Sequence, residues 1–133
     1  MNPRLLIADD EEAILFAMHE YFVALGYDVD CVRSQEEARA LLDARHYAVV
    51  IADLRLDGGG AAEGLELVGD VRSRWPETHT IILTAYGSPE IEAHARSIGV
   101  EVFLNKPVQL DHVAGIVRRL AGPSTGGGAP SSD

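Results

Sequence analysis

Short apolar runs punctuate the chain at Leu5 to Ala8, Val29 to Val32, Ala48 to Ala52, Thr80 to Leu83 and Val100 to Leu104. Most are continuous rather than alternating, the pattern of strands covered on both faces, as in a parallel sheet. Between them apolar residues recur at helical steps. Leu15, Met18, Phe22 and Leu25 repeat every third or fourth position and stop at Gly26, a residue suited to the left-handed turn after a helix. Ser34 with Glu37 predicts a capping box ahead of Ala38, Leu41 and Leu42. Ser88-Pro89 predicts a second start, serine as cap and proline in the first turn, for a helix carrying Ile91, Ala95 and Ile98 and closed by Gly99. Leu110, Val113, Val117 and Leu120 mark the last helix. Strand and helix alternate along the whole pattern, with connections long enough for right-handed crossovers, so the fold class is an open α/β sheet.

Composition narrows the function. The chain has 133 residues, 47% hydrophobic and 24% charged, enough for one domain with its own core. Its 11 Lys+Arg against 21 Asp+Glu give a net charge of −10 and no basic cluster, which excludes direct binding to a nucleic-acid backbone. The lone Cys31 allows no internal disulfide and no cysteine-based zinc site, and a reducing cytoplasm suits it. No run approaches the length of a membrane span, and the start lacks the pattern of a signal peptide. From Gly122 the sequence GPSTGGGAPSSD has no large apolar residue and reads as a flexible tail or linker start over 122–133, leaving 1–121 as the domain.

In a parallel α/β sheet ligands bind beyond the carboxyl ends of the strands. Here those ends carry Asp9-Asp10, Asp53, Thr84 and Asn105-Lys106-Pro107. Each has an ordinary reading, as helix cap, loop hydroxyl or solvent charge, but together they would converge on one edge. Clustered carboxylates repel one another and call for a cation. Oxygen ligands point to Mg²⁺, which takes one or two carboxylates and otherwise prefers phosphate oxygens and water. A carboxylate nucleophile beside a metal and an ammonium suits phosphoryl transfer. Lys106 is the only lysine in a chain that otherwise uses arginine, which marks it as a required point charge.

From Arg4 to Ala121 the chain resembles the receiver domain of two-component response regulators, of the single-domain chemotaxis type. The acidic pair after the first strand, Asp after the third, Thr after the fourth and Lys-Pro after the fifth match that family's motif in order. The resemblance implies a flavodoxin-like, doubly wound five-stranded parallel sheet in the order 2-1-3-4-5, with helices on both faces and a cis Lys106-Pro107 bond. It implies that Asp9, Asp10, Asp53 and the carbonyl of Arg55 hold Mg²⁺. Asp53 would accept a phosphoryl group from a histidine kinase or phosphotransfer protein, and Thr84 and Lys106 would engage its oxygens. Phe103 would be the switch aromatic, turning inward when Thr84 moves and reshaping the surface of the fourth helix, fifth strand and fifth helix for a downstream protein, an output domain or a phosphorylation-dependent dimer. An aromatic in an apolar strand is equally a core residue.

The loop after Asp53 departs from the family pattern. Asp57 replaces the usual proline, and Gly58-Gly59-Gly60 makes the loop about three residues longer before Gly64, which predicts mobility. Two other function classes compete. An aspartate-nucleophile phosphatase of the haloacid dehalogenase type would place its nucleophile after the first strand in an Asp-x-Asp pattern, whereas the chain has Asp9-Asp10-Glu11-Glu12 and no cap domain. A degenerate receiver serving only as a binding module would have lost the acceptor or the lysine, and both are present.

Overall fold

A computed structural model of the chain describes residues 2–56 and 62–122. The elements run β1 (Arg4–Ala8), α1 (Glu12–Ala24), β2 (Asp28–Val32), α2 (Gln35–Ala44), β3 (Val49–Ala52), α3 (Ala62–Arg74), β4 (His79–Thr84), α4 (Pro89–Ser97), β5 (Val102–Asn105) and α5 (Leu110–Ala121). All four strand pairings are parallel, in the order β2-β1-β3-β4-β5. This is the doubly wound sheet the sequence predicts. The apolar central strands alternate their side chains between two cores. Leu6, Val50 and Ile82 face a core completed by Leu42 of α2, Leu67 and Val71 of α3 and Ala95 of α4. Leu5, Ile7, Val49, Ile51 and Ile81 face the other, closed by Met18 and Phe22 of α1 and Val113 and Val117 of α5.

The ends of the helices follow their sequence signals. Gly26 (φ 98°) and Gly99 (φ 110°) take the positive φ that follows α1 and α4. Ser88 Oγ accepts the Ile91 amide at 3.2 Å, with Pro89 in the first turn of α4. Ser34 Oγ likewise accepts the Glu37 amide at 3.1 Å, but Glu37 Oε1 returns to the amide of Arg33, one residue before the cap, at 3.0 Å.

The strand bounds differ from the apolar runs by one or two residues, most at β5. β5 begins at Val102 rather than Val100, because the Val100 amide closes α4 on the Ala95 carbonyl at 3.1 Å. β2 lies at the sheet edge, and its acidic positions are accommodated there. Asp28 is exposed, while Asp30 accepts a short hydrogen bond from the Tyr47 hydroxyl. The glycine-rich loop expected to be mobile, residues 57–61, and the tail from 123 lie outside the described residues. Among the described residues no helix is long and apolar enough to cross a membrane.

Candidate functional site

The site forms where the ladder runs one residue past the strands. The Asp9 amide donates to Val32 O at 3.1 Å, the Asp53 amide to Ala8 O at 2.9 Å and the Lys106 amide to Thr84 O at 2.8 Å. The sheet itself therefore fixes the main chain beneath Asp9, Asp53 and Lys106.

Asp9 and Asp53 are almost fully buried, at 3% and 2% exposure, and Thr84 is completely so. Asp10 is half-buried. Carboxylate oxygens of Asp9, Asp10 and Asp53 lie within 4.8 Å of one another. Into this cluster reaches Lys106, whose Nζ donates to Asp9 Oδ2 at 2.8 Å, Asp53 Oδ2 at 3.2 Å and Glu11 Oε1 at 3.2 Å. Three acceptors match the three protons of an ammonium. Lys106 precedes a cis bond to Pro107, as expected.

Burial acts on these charges in opposite ways. Desolvation raises the pKa of Asp9 above its ordinary value. Hydrogen bonds from Lys106 and the Glu11 amide and the lysine's charge pull it back, while the charge of Asp53 adds to the rise. Desolvation works against the Lys106 ammonium too, but the hydrogen bonds and charges of Asp9 and Asp53 outweigh it and raise its pKa. A single ammonium shared among several carboxylates is secured by all of them and leaves Asp9 short of positive charge.

The remaining predicted residues surround this centre. Thr84 Oγ1 accepts the Tyr86 amide at 3.1 Å. The Arg55 amide points at Asp53 Oδ1 from 3.5 Å, and its guanidinium lies over the Tyr86 ring, 3.8 Å from the centroid. Phe103 is 7% exposed and belongs to the core beside α2, α3 and α4. In this structure the ring lies inside.

Three contributors escape sequence reasoning. Glu11 is the third partner of Lys106, and its only signal is its place directly after the acidic pair. Arg33 holds the Asp10 segment, donating to Asp10 O at 3.0 Å and Glu12 Oε2 at 2.9 Å. Gly64 presses on the main chain of Asp53. A Cβ there would stand 2.1 Å from Asp53 O and 2.6 Å from Leu54 Cα, and the Gly64 amide donates to Leu54 O at 2.9 Å.

The model of the response regulator receiver domain family matches residues 5–118. The chain belongs to that family. This receiver is 32% identical over 109 residues to the photosynthetic apparatus regulatory protein RegA of Cereibacter sphaeroides, covering 82% of this chain and 58% of that protein. It is 33% identical to the response regulator protein PilR of Pseudomonas aeruginosa, covering 86% of this chain and 25% of that protein. The receiver therefore spans only part of the length of these curated relatives. Among solved structures, the receiver domain of the Francisella response regulator 1452 is 28% identical with a TM-score of 0.81, covering 90% of this chain and 97% of that one. A CheY-like receiver from Methanospirillum hungatei has a TM-score of 0.84 at 24% identity, covers 90% of this chain and 93% of that one, and attests to the fold. The receiver is a module of phosphorylation-dependent two-component signalling, and its acidic cluster can hold a metal. The phosphatase reading is not favoured.

Proposed function

We propose that Asp53 is the phosphoryl acceptor of this receiver. The observation that carries the reading is the placement of Lys106 Nζ 3.2 Å from a nearly buried Asp53 carboxylate, within a cluster of oxygen donors. A carboxylate oxygen of Asp53 attacks the phosphorus of a phosphohistidine on a histidine kinase or phosphotransfer protein. The P–O bond forms as the P–N bond breaks, and the imidazole leaves with the bonding pair and takes up a proton. Lys106 and the Thr84 hydroxyl then hold phosphoryl oxygens.

The donor set fits a hard cation, since it offers carboxylate oxygens and no sulfur or imidazole. Asp9, Asp10, Asp53 and the Arg55 carbonyl would hold Mg²⁺, which supplies charge neutralisation for the transferring group. We assign the receiver to residues 1–121 and a linker or tail to 122–133, and read the module as cytoplasmic. Its output passes through the α4-β5-α5 surface to a downstream protein, an attached output domain or a second copy.

Incubation with Mg²⁺ and acetyl phosphate or phosphoramidate tests the assignment by intact-mass spectrometry. One phosphoryl group should be added to the wild type and none to Asp53→Asn, because an amide is a poor nucleophile. Asp10→Asn should raise the Mg²⁺ concentration needed. Undiminished label on Asp53→Asn would reject the acceptor.

A further inference from the structure

The loop between β4 and α4 is pinned at both ends. At its start the Tyr86 amide donates to Thr84 Oγ1 at 3.1 Å. At its end Ser88 caps α4 with its hydroxyl on the Ile91 amide and its carbonyl accepting the Glu92 amide at 2.8 Å. Between them Gly87 lies on β5. A Cβ at Gly87 would stand 2.4 Å from Asn105 Oδ1, 2.8 Å from Phe103 Cε1 and 3.1 Å from Phe103 Cζ.

These obstacles are unequal. Asn105 is exposed, and its amide can swing into solvent. The Phe103 ring is enclosed in the core that also contains Ile82, Ala95 and Val100, so it can yield only by leaving that packing. The other way to make room is to lift the loop, which would pull the Tyr86 amide from Thr84. A threonine hydroxyl donates one hydrogen bond and still accepts others, so Thr84 can donate to a phosphoryl oxygen while keeping the Tyr86 amide. The loop then follows the hydroxyl, and Gly87 moves against Phe103.

We infer that Gly87 is a positioning residue that couples the phosphoryl site to β5: its missing side chain lets the Thr84–Ser88 loop close on the buried Phe103 ring. This rests on the reading of Thr84 as a phosphoryl ligand. A side chain at Gly87 sets ring packing against loop closure, so it weakens the binding of a phosphoryl mimic without touching the carboxylates or Lys106.

The test uses protein labelled with 4-fluorophenylalanine, whose three resonances are assigned through Phe16→Leu, Phe22→Leu and Phe103→Leu, and titrated with beryllofluoride and Mg²⁺. In the wild type without beryllofluoride, the Phe103 fluorine should be protected from a soluble paramagnetic agent and the exposed Phe16 fluorine should not. Gly87→Ala should expose Phe103 or weaken beryllofluoride binding roughly tenfold, within the usual range of coupling between sites. Gly87→Ala with Phe103→Leu should recover most of the affinity, because the smaller side chain removes the ring edge that the new Cβ meets. An exposed Phe103 fluorine in the wild type would overturn the inference whether or not Gly87→Ala folds. So would wild-type affinity with a protected ring in Gly87→Ala, or, where the single variant has lost affinity, a double variant that binds no better. A wild type that failed to bind beryllofluoride at all would instead reject the phosphoryl reading, and the fluorine protection would still decide the contact of Gly87 with the ring.

Discussion

Lys106 Nζ stands 2.8 Å from Asp9 Oδ2 across 97 positions of sequence, joining the turn after β5 to the end of β1. Both side chains are largely withdrawn from water, at 12% and 4% exposure. Shortening the lysine removes the one cation shared by Asp9, Asp53 and Glu11. Lys106→Ala should therefore destabilise the metal-free protein at neutral pH by about 3 kcal/mol, at the low end for breaking a buried pair because the site opens to solvent on one side. Urea unfolding measures this, and Mg²⁺ should recover part of the loss by replacing the missing charge. A variant as stable as the wild type would show that the lysine contributes nothing to the fold.

Asp9 makes the opposite prediction. Burial raises its folded-state pKa, so the folded protein holds the Asp9 proton more tightly than the unfolded chain does. Its contribution favours folding below the unfolded pKa and is lost as pH rises through the folded value. Asp9→Asn is neutral at every pH. It should raise the urea midpoint of the metal-free protein at pH 7, flatten the stability profile above the ordinary carboxylate range and reduce Mg²⁺ affinity. A lower midpoint for Asp9→Asn at pH 7 would mean that the attraction of Lys106 dominates burial.

The legibility of this site follows from what each residue contributes. Asp9, Asp53, Thr84 and Lys106 are readable because chemistry-bearing residues stand where apolar runs end, and a parallel sheet brings all such ends to one edge. The fold is readable for the same reason, through runs that are apolar throughout because helices cover both faces. Gly64 and Gly87 contribute the absence of a side chain, which has meaning only once a distant segment lies against them, and the chain separates Gly87 from Phe103 by all of α4. The side of the sheet that holds the Phe103 ring is settled by α4 and the loop before it, so no local pattern announces it. Glu11 was hidden differently. It is one acid among neighbouring acids until Lys106 arrives from the other end of the chain.

Gly64 is the strictest of these positions. The atoms a Cβ would meet, Asp53 O and C and Leu54 Cα, are main chain at the end of β3 and have no rotamer to escape into. Gly64→Ala should cost about 3 kcal/mol, at the upper end of ordinary overpacking, and should slow labelling by acetyl phosphate through displacement of Asp53. Gly69 offers the control. It lies in the same helix with open space around its Cβ position, so Gly69→Ala should be neutral or slightly stabilising. Equal stability of the two variants in urea would remove Gly64 from the account of the site.

Arg55 and Tyr86 bear on the lifetime of the phosphorylated state. Hydrolysis of an acyl phosphate needs a water aligned opposite the leaving carboxylate, and the stacked guanidinium and phenol ring stand two residues beyond Asp53 and Thr84. The stack is a cation–π contact at close range, and it holds two bulky groups together beside the site. Arg55 can also donate to phosphoryl oxygens from its planar fork, which would keep it over the group once phosphorylated. Arg55→Asn with Tyr86→Ala removes both the cover and the competing donor. The double variant should lose its phosphoryl group several-fold faster than the wild type after rapid desalting from the phosphodonor into Mg²⁺ buffer, where rephosphorylation is blocked and an intact-mass time course reads hydrolysis alone. Arg55→Lys separates the two contributions, since lysine keeps the charge but loses the planar face that stacks on Tyr86. Decay near the wild-type rate in Arg55→Lys would assign the protection to charge, and decay near that of the double variant would assign it to the stack. Equal or slower decay in the double variant would show that these side chains do not shield the site.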